Sequence, residues 1–425
     1  MRRLFSVPGY GRLAVAYALN ELAWFVGTLA LSVLVYKRTG SALGSAGFFL
    51  CAEAAPALLA PALVGRLDRV SPRTLLPALY WIEAVLFGVL AYLTHRFLLV
   101  PVLVLVVLDG TIALVARSLS AGARTELLKP LGLVREGGAL QSMMFSSAYL
   151  LGPLLAGLVT AVGGTVAALC VDCGLFAAMG LALLSDTVPR SIVHEGPDRG
   201  RLRAALAYVR RDPPVVTLLV LQLVAFVIFT IPTPVEVVYV VHTLSAGSAG
   251  YGILLSVWGG GAVFGSLLYA RWRLRSARWV IGVSTVLIAV GFAILAVAPD
   301  FGVALVGAAI AGLSNGLTSA AFVTEFSDIV PQSWVAMVTS LNQSLGQLAP
   351  GVGIALGGVL ATLASTRAAF GVAAGGSVLL AVATAALLTP SRMTRTTDVE
   401  APPGSSVPDA DAEDRDASSA AERVA

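Results

Sequence analysis

The chain has 425 residues, of which 57% are hydrophobic and only 12% charged, whereas soluble domains run at roughly 45–50% apolar and about 25% charged. With a mean hydropathy of +0.87, this excludes an ordinary soluble domain and points to an integral membrane protein. The formal net charge of +4 is spread over short connections between apolar runs, so no nucleic-acid partner is expected.

A membrane helix needs about 20 apolar residues, because every backbone N–H and C=O must be paired inside a hydrocarbon core roughly 30 Å thick. The sequence predicts twelve such spans, at 13–36, 43–64, 74–95, 98–117, 138–161, 165–187, 214–238, 249–270, 278–298, 300–325, 335–363 and 367–389. Met1, Arg2 and Arg3 open the chain as a secretory signal would. The apolar run behind them is longer than a signal's core of roughly 7–15 residues and lacks a clear small-residue cleavage site, so it reads as an uncleaved first span.

That first span contains YALNELAWFVGTLALSVLVY, with Glu21 beside Asn20. Tyr17, Asn20, Glu21, Trp24, Thr28 and Ser32 recur at spacings of three and four and so share one face. Later spans carry Glu53, Glu83, Asp109, Asp172 and Glu236, and no Lys or Arg falls clearly near a span centre. At about 2.5–3.5 kcal/mol per centred charge, six lipid-facing carboxylates would cost on the order of 15–20 kcal/mol. They are therefore expected to face protein or water, or to hold a proton.

Glu21 has two readings: proton coupling or recognition of a cationic substrate, and a neutral carboxyl bonded between helices. Glu236, after Pro232 and Pro234, reads as a gate residue. Arg117, at the end of the fourth span, is expected to snorkel to the interface; its other use is pairing with a carboxylate. Gln343 and Gln347, one turn apart, and Ser142, Ser146 and Tyr149 form one-sided polar sets suited to substrate contact or interhelical bonding. With no fixed cation expected in the interior, a strongly anionic substrate is disfavoured.

Cys51, Cys170 and Cys173 all fall in spans and read as small apolar filler; Cys170 and Cys173 match C-x-x-C but lack a βαβ context. His95, His194 and His242 are scattered without ligand spacing. No catalytic constellation, metal site or cofactor is expected, and the chain is not read as an enzyme.

Of 28 Lys and Arg, 22 lie in the amino-terminal segment, the even-numbered connections and the start of the tail, whereas Lys37, Arg38, Arg96 and Arg367 occupy odd-numbered ones. The positive-inside rule then places both termini in the cytoplasm. Residues 186–213 form the longest polar interior stretch, read as a cytoplasmic linker with a short amphipathic helix at 202–209. From 391 onward periodicity is lost, and the acidic, Ala- and Ser-rich composition predicts a disordered tail.

Shifting the sequence by 205 positions matches Gly47 with Gly252, Ala57 with Ala262, Arg66 with Arg271 and Arg73 with Arg278; a shift of 197 matches Ser147 with Ser344 and Pro153 with Pro350. The second and eighth spans, and the fifth and eleventh, therefore look like relatives. Two six-helix halves in the same orientation are the arrangement of major facilitator superfamily transporters. The chain resembles that superfamily over about residues 10–390.

Specific residues carry the resemblance. The loop motif G-x-L-a-D-R-x-G-R-R is present in degenerate form across residues 64–73, with Asp68, Arg69 and Arg73 in register, one Gly displaced and the second lost. VYKRTGSALGSAG and LRAALAYVRRDPPVVTLLV resemble segments of the multidrug and siderophore exporter branch. Gly152, Pro153, Ala156 and Gly157 resemble the antiporters' G-P-x-x-G-G motif, with Ala for one Gly.

The resemblance implies an all-α membrane protein of two six-helix bundles, residues 1–187 and 214–390, joined by the linker 188–213 and followed by the tail 391–425. It implies that spans 1, 4, 7 and 10 line a central cavity, promoting Glu21, Asp109, Glu236 and Asn315 beside Asn20, Trp24, Glu53, Gln343 and Gln347, while spans 3 and 6 stand outside, demoting Glu83 and Asp172. Asp68, Arg69 and Arg73 become an ion-paired latch, and Gly152, Pro153 and Gly157 an export motif. The implied function is proton-coupled efflux of a small amphipathic organic compound by a monomer in the cell membrane. Proton-symport import on the same scaffold is the alternative. The implied partners are the substrate, protons and the bilayer.

Overall fold

The computed structural model describes residues 2–67, 70–184, 207–271, 276–330 and 332–388. After a short turn at Arg2–Phe5, α1 is Tyr10–Thr39, and α2 runs as Ala42–Phe49, a π-helical turn at Leu50–Ala54 and Ala55–Leu67. Helix α3 is Pro72–Leu93 and α4 is Leu99–Leu128. The stretch Val134–Leu183 is helical for 50 residues, about 75 Å at 1.5 Å per residue and far beyond one crossing. It divides at Gly164, whose φ of 74° and ψ of 178° no side-chain-bearing residue adopts readily, giving α5 before that glycine and α6 after it.

In the second half, α7 runs as Pro213–Thr230, Thr233–Val238 and a π-helical turn at Tyr239–Thr243. It is followed by α8 Gly247–Arg271, α9 Ala277–Val297, α10 Phe301–Ile329, α11 Gln332–Leu363 and α12 Thr366–Leu387. The described residues thus contain the twelve expected spans and no strand. The main boundary difference is α4, which runs to Leu128 rather than 117.

Local chemistry sets the ends. Ser276, Asp300 and Ser365 accept backbone N–H bonds from Trp279, Val303 and Ala368 and so start α9, α10 and α12. Gly40 closes α1 at φ 61° and returns its N–H to the Tyr36 carbonyl at 2.8 Å, which turns the chain directly into α2. Two of the cations opposing the charge bias are bonded at this same end of the molecule. Arg38 donates to the Thr94 carbonyl at 2.9 Å and Arg367 to the Ala298 carbonyl at 2.7 Å, where α3 and α9 expose orphan acceptors.

The halves meet where α5 packs on α8 and where α2 packs on α11 and on the Thr233–Val238 part of α7. The α5–α8 and α2–α11 seams both use small residues, since in lipid close backbone approach replaces the hydrophobic effect as the cohesive force. A Cβ on Gly157 would stand 2.9 Å from the Gly252 Cα and the Ser248 carbonyl, and one on Gly351 would stand 2.9 Å from the Ala54 Cβ. The matched prolines of the repeat, Pro153 and Pro350, lie inside these seam helices.

Helix α11 packs on Ala42–Phe49 and the π turn but hardly on Ala55–Leu67. Among the described residues, contacts between the halves are therefore concentrated at the face bearing the α1–α2 turn and sparse toward the opposite face. Toward that opposite face, Tyr17, Gln141 and Ser142 of the first half line an open cleft of about 420 Å³. Residues 207–211 are helical, with Tyr208 stacked on Trp334 at 4.5 Å. The rest of the expected linker helix, and the tail 391–425, lie outside the described residues.

Gly157→Val is expected to unseat the face bearing the α1–α2 turn. With Cys51, Cys170 and Cys173 replaced, a reporter cysteine at the buried Tyr251 position should then be labelled by an impermeant maleimide added on the α1–α2 side, while the parent stays protected. Equal protection would show that this glycine contact does not hold the face closed.

Candidate functional site

The polar face of α1 points inward, as its spacing requires. Asn20 and Glu21 are each 3% exposed, and Trp24 and Thr28 form the partition between two lobes of a central cavity. One lobe, about 300 Å³, is walled mainly by the first half, in part by Asn20, Gly27, Asp109 and Arg117, and is closed by Gln347 of α11. The other, about 270 Å³, lies between the halves and is walled in part by Tyr149, Pro153, Glu236, Tyr251, Trp258 and Asn315. Glu53 borders both.

Glu53 is placed by the π-helical turn Leu50–Ala54 in α2, an irregularity that re-aims one side chain and recurs at functional sites. Glu236 is placed by the break at Pro232 in α7. The two acids come from opposite halves and line the same lobe. Aromatic rings surround them: Phe25 meets Trp24 at 4.8 Å and Tyr149 at 5.4 Å between centroids, and Trp258 meets Phe292 at 5.8 Å. Such a chamber offers both π faces and carboxylates.

The expectation of an interior without a fixed cation is overturned. Because α4 continues to Leu128, Arg117 sits about five turns into the helix and projects into the cavity wall. Its Nε donates to Asn20 Oδ1 at 3.1 Å, its Nη2 lies 3.5 Å from Glu21 Oε2, and its guanidinium carbon is 5.8 Å from the Trp24 ring centroid. One turn and more beyond, Arg124 is 6% exposed, donates to Ser120 Oγ at 2.6 Å and lies 4.6 Å from the Tyr17 ring centroid. Arg117, Ser120 and Arg124 share one helix face, a spacing visible in the sequence had the span not been ended at 117. The argument from charge against anionic substrates falls with it. Glu21 is consequently not a lone acid but half of an ion pair.

Helices α3 and α6 do not stand apart from the site. Phe87 of α3 and Phe176 of α6 reach the cavity wall, stacked at 5.2 Å, and Glu83 and Asp172 are fully buried behind them. The Gly-Pro motif of α5 has a plain packing role as well. A Cβ on Gly152 would meet Phe25 at 2.7 Å, Pro153 walls the inter-half lobe, and Gly157 lies on Gly252. Ser142 spends its hydroxyl on the Gly138 carbonyl of its own helix. The side chain of Gln343 and both Asp68 and Arg69 lie outside the described residues, whereas Arg73 begins α3. At its repeat partner, Arg278 pairs with the buried Glu325 at 2.5 Å, tying α9 to α10.

Residues 218–412 match the family model described as Major Facilitator Superfamily. Among solved structures the chain is similar to nucleoside transporter NupG, with TM-score 0.70, 15% identity, 88% of this chain covered and 98% of that one. It is also similar to a bacterial homologue of the iron transporter ferroportin in an inward-facing state, with TM-score 0.68, 14% identity and coverage of 91% and 98%. A third likeness is to a D-xylose-proton symporter, with TM-score 0.66, 14% identity and coverage of 91% and 99%. No curated protein matches. At this identity the likenesses establish the fold alone, twelve helices in two bundles; the similar solved proteins are themselves membrane transporters.

Arg117→Gln should destabilise the folded chain by leaving Glu21 buried without its cation. Because Arg117 is 32% exposed, the loss should fall below the roughly 3–5 kcal/mol seen for fully buried pairs. Adding Glu21→Gln should recover most of it, read as melting of purified protein in detergent; additive losses would show that the two side chains do not interact.

Proposed function

We propose that this chain is a secondary transporter of the major facilitator superfamily that exports a small amphipathic organic compound, a drug or natural product, in exchange for protons. The observation that carries this is the Glu53–Glu236 pair facing across the inter-half lobe within an aromatic wall. Two carboxylates in such a chamber bind a lipophilic cation through charge and π faces together. Protons compete for the same oxygens, which gives exchange a physical basis. Arg117 does not oppose cation binding, since Glu21 already offsets its charge.

Alternating access is supported by halves that meet along glycine-rich seams concentrated, among the described residues, toward one face. The rocking units are 1–187 and 214–390. Asp68, Arg69 and Arg73 serve as the latch of the first half; in the second half Arg278, the repeat partner of Arg73, pairs with Glu325. The charge bias supports a cytoplasmic linker face with both termini inside, in the cell membrane, so that the sparsely joined face is the cytoplasmic one. Export rather than import is supported by the likeness of Gly152, Pro153 and Gly157 to the antiporter motif. The transporting unit is a monomer, with Asn20, Trp24, Asp109, Asn315, Gln343 and Gln347 contributing to the cavity.

Purified protein in liposomes with an imposed proton gradient tests the reading on a panel of lipophilic cations headed by tetraphenylphosphonium. Export against the gradient is expected, and Glu53→Gln or Glu236→Gln should weaken tetraphenylphosphonium binding roughly ten-fold, about 1.4 kcal/mol. Uptake in the opposite direction would convert the reading to symport. No flux of any panel member, with both variants indistinguishable from the parent, would end it.

A further inference from the structure

Glu83 on α3, Asp109 on α4 and Asp172 on α6 form a group that the ion pair and the Glu53–Glu236 chamber leave unused. Glu83 and Asp172 are both 0% exposed. All four of their carboxyl oxygens lack a hydrogen-bond partner, and so does Asp109 Oδ1. Helix α3 packs on α4 and its Phe87 stacks on Phe176 of α6, so the three acids lie in one packed region although they come from three helices.

The group is closed to lipid and nearly open to the cavity. Asp109 itself stands in the cavity wall. Asp172 lies directly behind another part of that wall, because a Cβ on Gly27 would fall 2.7 Å from its Oδ2 and 2.8 Å from Phe87. Gly27 thus leaves only a backbone's thickness between the cavity and a buried acid. Glu83 lies one turn from Phe87 on the same face of α3.

An unpaired carboxylate in so dry a place costs several kcal/mol, and neighbouring carboxylates add mutual repulsion. The other titratable groups bearing on the set are Arg117, which acts on Glu83 and Asp109, and Tyr80, which faces Glu83. Arg117 is already engaged by Asn20 and Glu21. Among the described residues no three acid, His or Cys side chains converge closely enough to hold a metal ion. The ligand this group is built to take is the proton.

We propose that Glu83, Asp109 and Asp172 are the proton-carrying unit of this transporter, exchanging with the cavity through Asp109, and that Glu21 is a positioning residue that holds Arg117. This rests on the proton-coupled reading above. A proton bound at Asp109 from the cavity removes a negative charge in front of the two buried acids. Releasing it returns a charge that Arg117 is placed to offset, which ties the protonation state of the group to the contact between α1 and α4.

The test uses the full chain in liposomes, with tetraphenylphosphonium as probe and two readouts, gradient-driven transport and gradient-free counterflow. Glu83→Gln and Asp172→Asn, neither of which lines the cavity, are expected to lower gradient-driven transport to the level seen with the gradient collapsed while counterflow persists. Glu21→Gln should slow both together. Infrared difference spectra of the wild-type chain between acid and alkaline pH should show protonated-carboxyl C=O bands at neutral pH that shift in deuterated water and diminish in each variant; this readout does not depend on a variant's transport competence. If the gradient still drives transport in Glu83→Gln and Asp172→Asn, or if the wild-type chain shows no protonated carboxyl at neutral pH, the proposal is overturned. A wild-type chain that moves the probe but ignores the gradient would instead remove the proton-coupled reading beneath it.

Discussion

Charge cannot be left bare in hydrocarbon, and nearly every polar feature of this molecule is arranged around that constraint. The polar face of α1 turns inward, Arg117 is taken up by Asn20 and Glu21, and Arg124 rests on Ser120 and the Tyr17 ring. At the opposite face, Arg38 and Arg367 satisfy the carbonyls left open where α3 and α9 end. What the constraint does not pair, it buries or places in the cavity. That sorts the acids into three kinds: compensated at Glu21, shared across the halves at Glu53 and Glu236, and solitary at Glu83, Asp109 and Asp172.

Packing obeys a second rule that serves motion as well as cohesion. In lipid, helices gain little by merely hiding apolar area, so they adhere where backbones can touch. The glycines of α5, α8 and α11 supply such contacts between the halves from the middle of the membrane to the α1–α2 face, and α11 scarcely touches the last part of α2. A seam in which glycines receive backbone and side-chain atoms of the other half, Tyr149 on Gly259 among them, has little interdigitated bulk to repack on separating. The same glycines that hold one face shut therefore permit it to open.

The architecture was legible because hydropathy runs and the cost of unpaired backbone leave little freedom: most of the twelve spans fell within a few residues of their observed ends. The inward turn of Tyr17, Asn20, Glu21, Trp24 and Thr28 was legible from spacing alone. Partners were not. Ending the fourth span at 117 hid Arg117 and Arg124 from the interior, since a cation at the edge of an apolar run looks the same whether it snorkels or continues a helix. The π turn that aims Glu53 has no sequence signature in LCAEA, because it depends on how α2 meets α4 and α11. Glu83 and Asp172 were set aside by rank of helix, a rank that says nothing of how thin the wall beside Asp172 becomes at Gly27.

The halves share a fold but not a chemistry. Where the first half buries unpartnered acids between α3, α4 and α6, the corresponding helices of the second half hold hydroxyls that satisfy one another: Ser314 donates to the Ser284 carbonyl, and Thr318 donates to the Ser284 hydroxyl at 2.7 Å. A hydroxyl network of this kind is neutral at every pH the membrane meets and needs nothing from solvent. An acid group without donors is neutral only while it holds protons. The second half contributes Glu236 and Asn315 to the chamber beside this neutral network, while the first half packs Glu83 and Asp172 without donors behind the cavity wall.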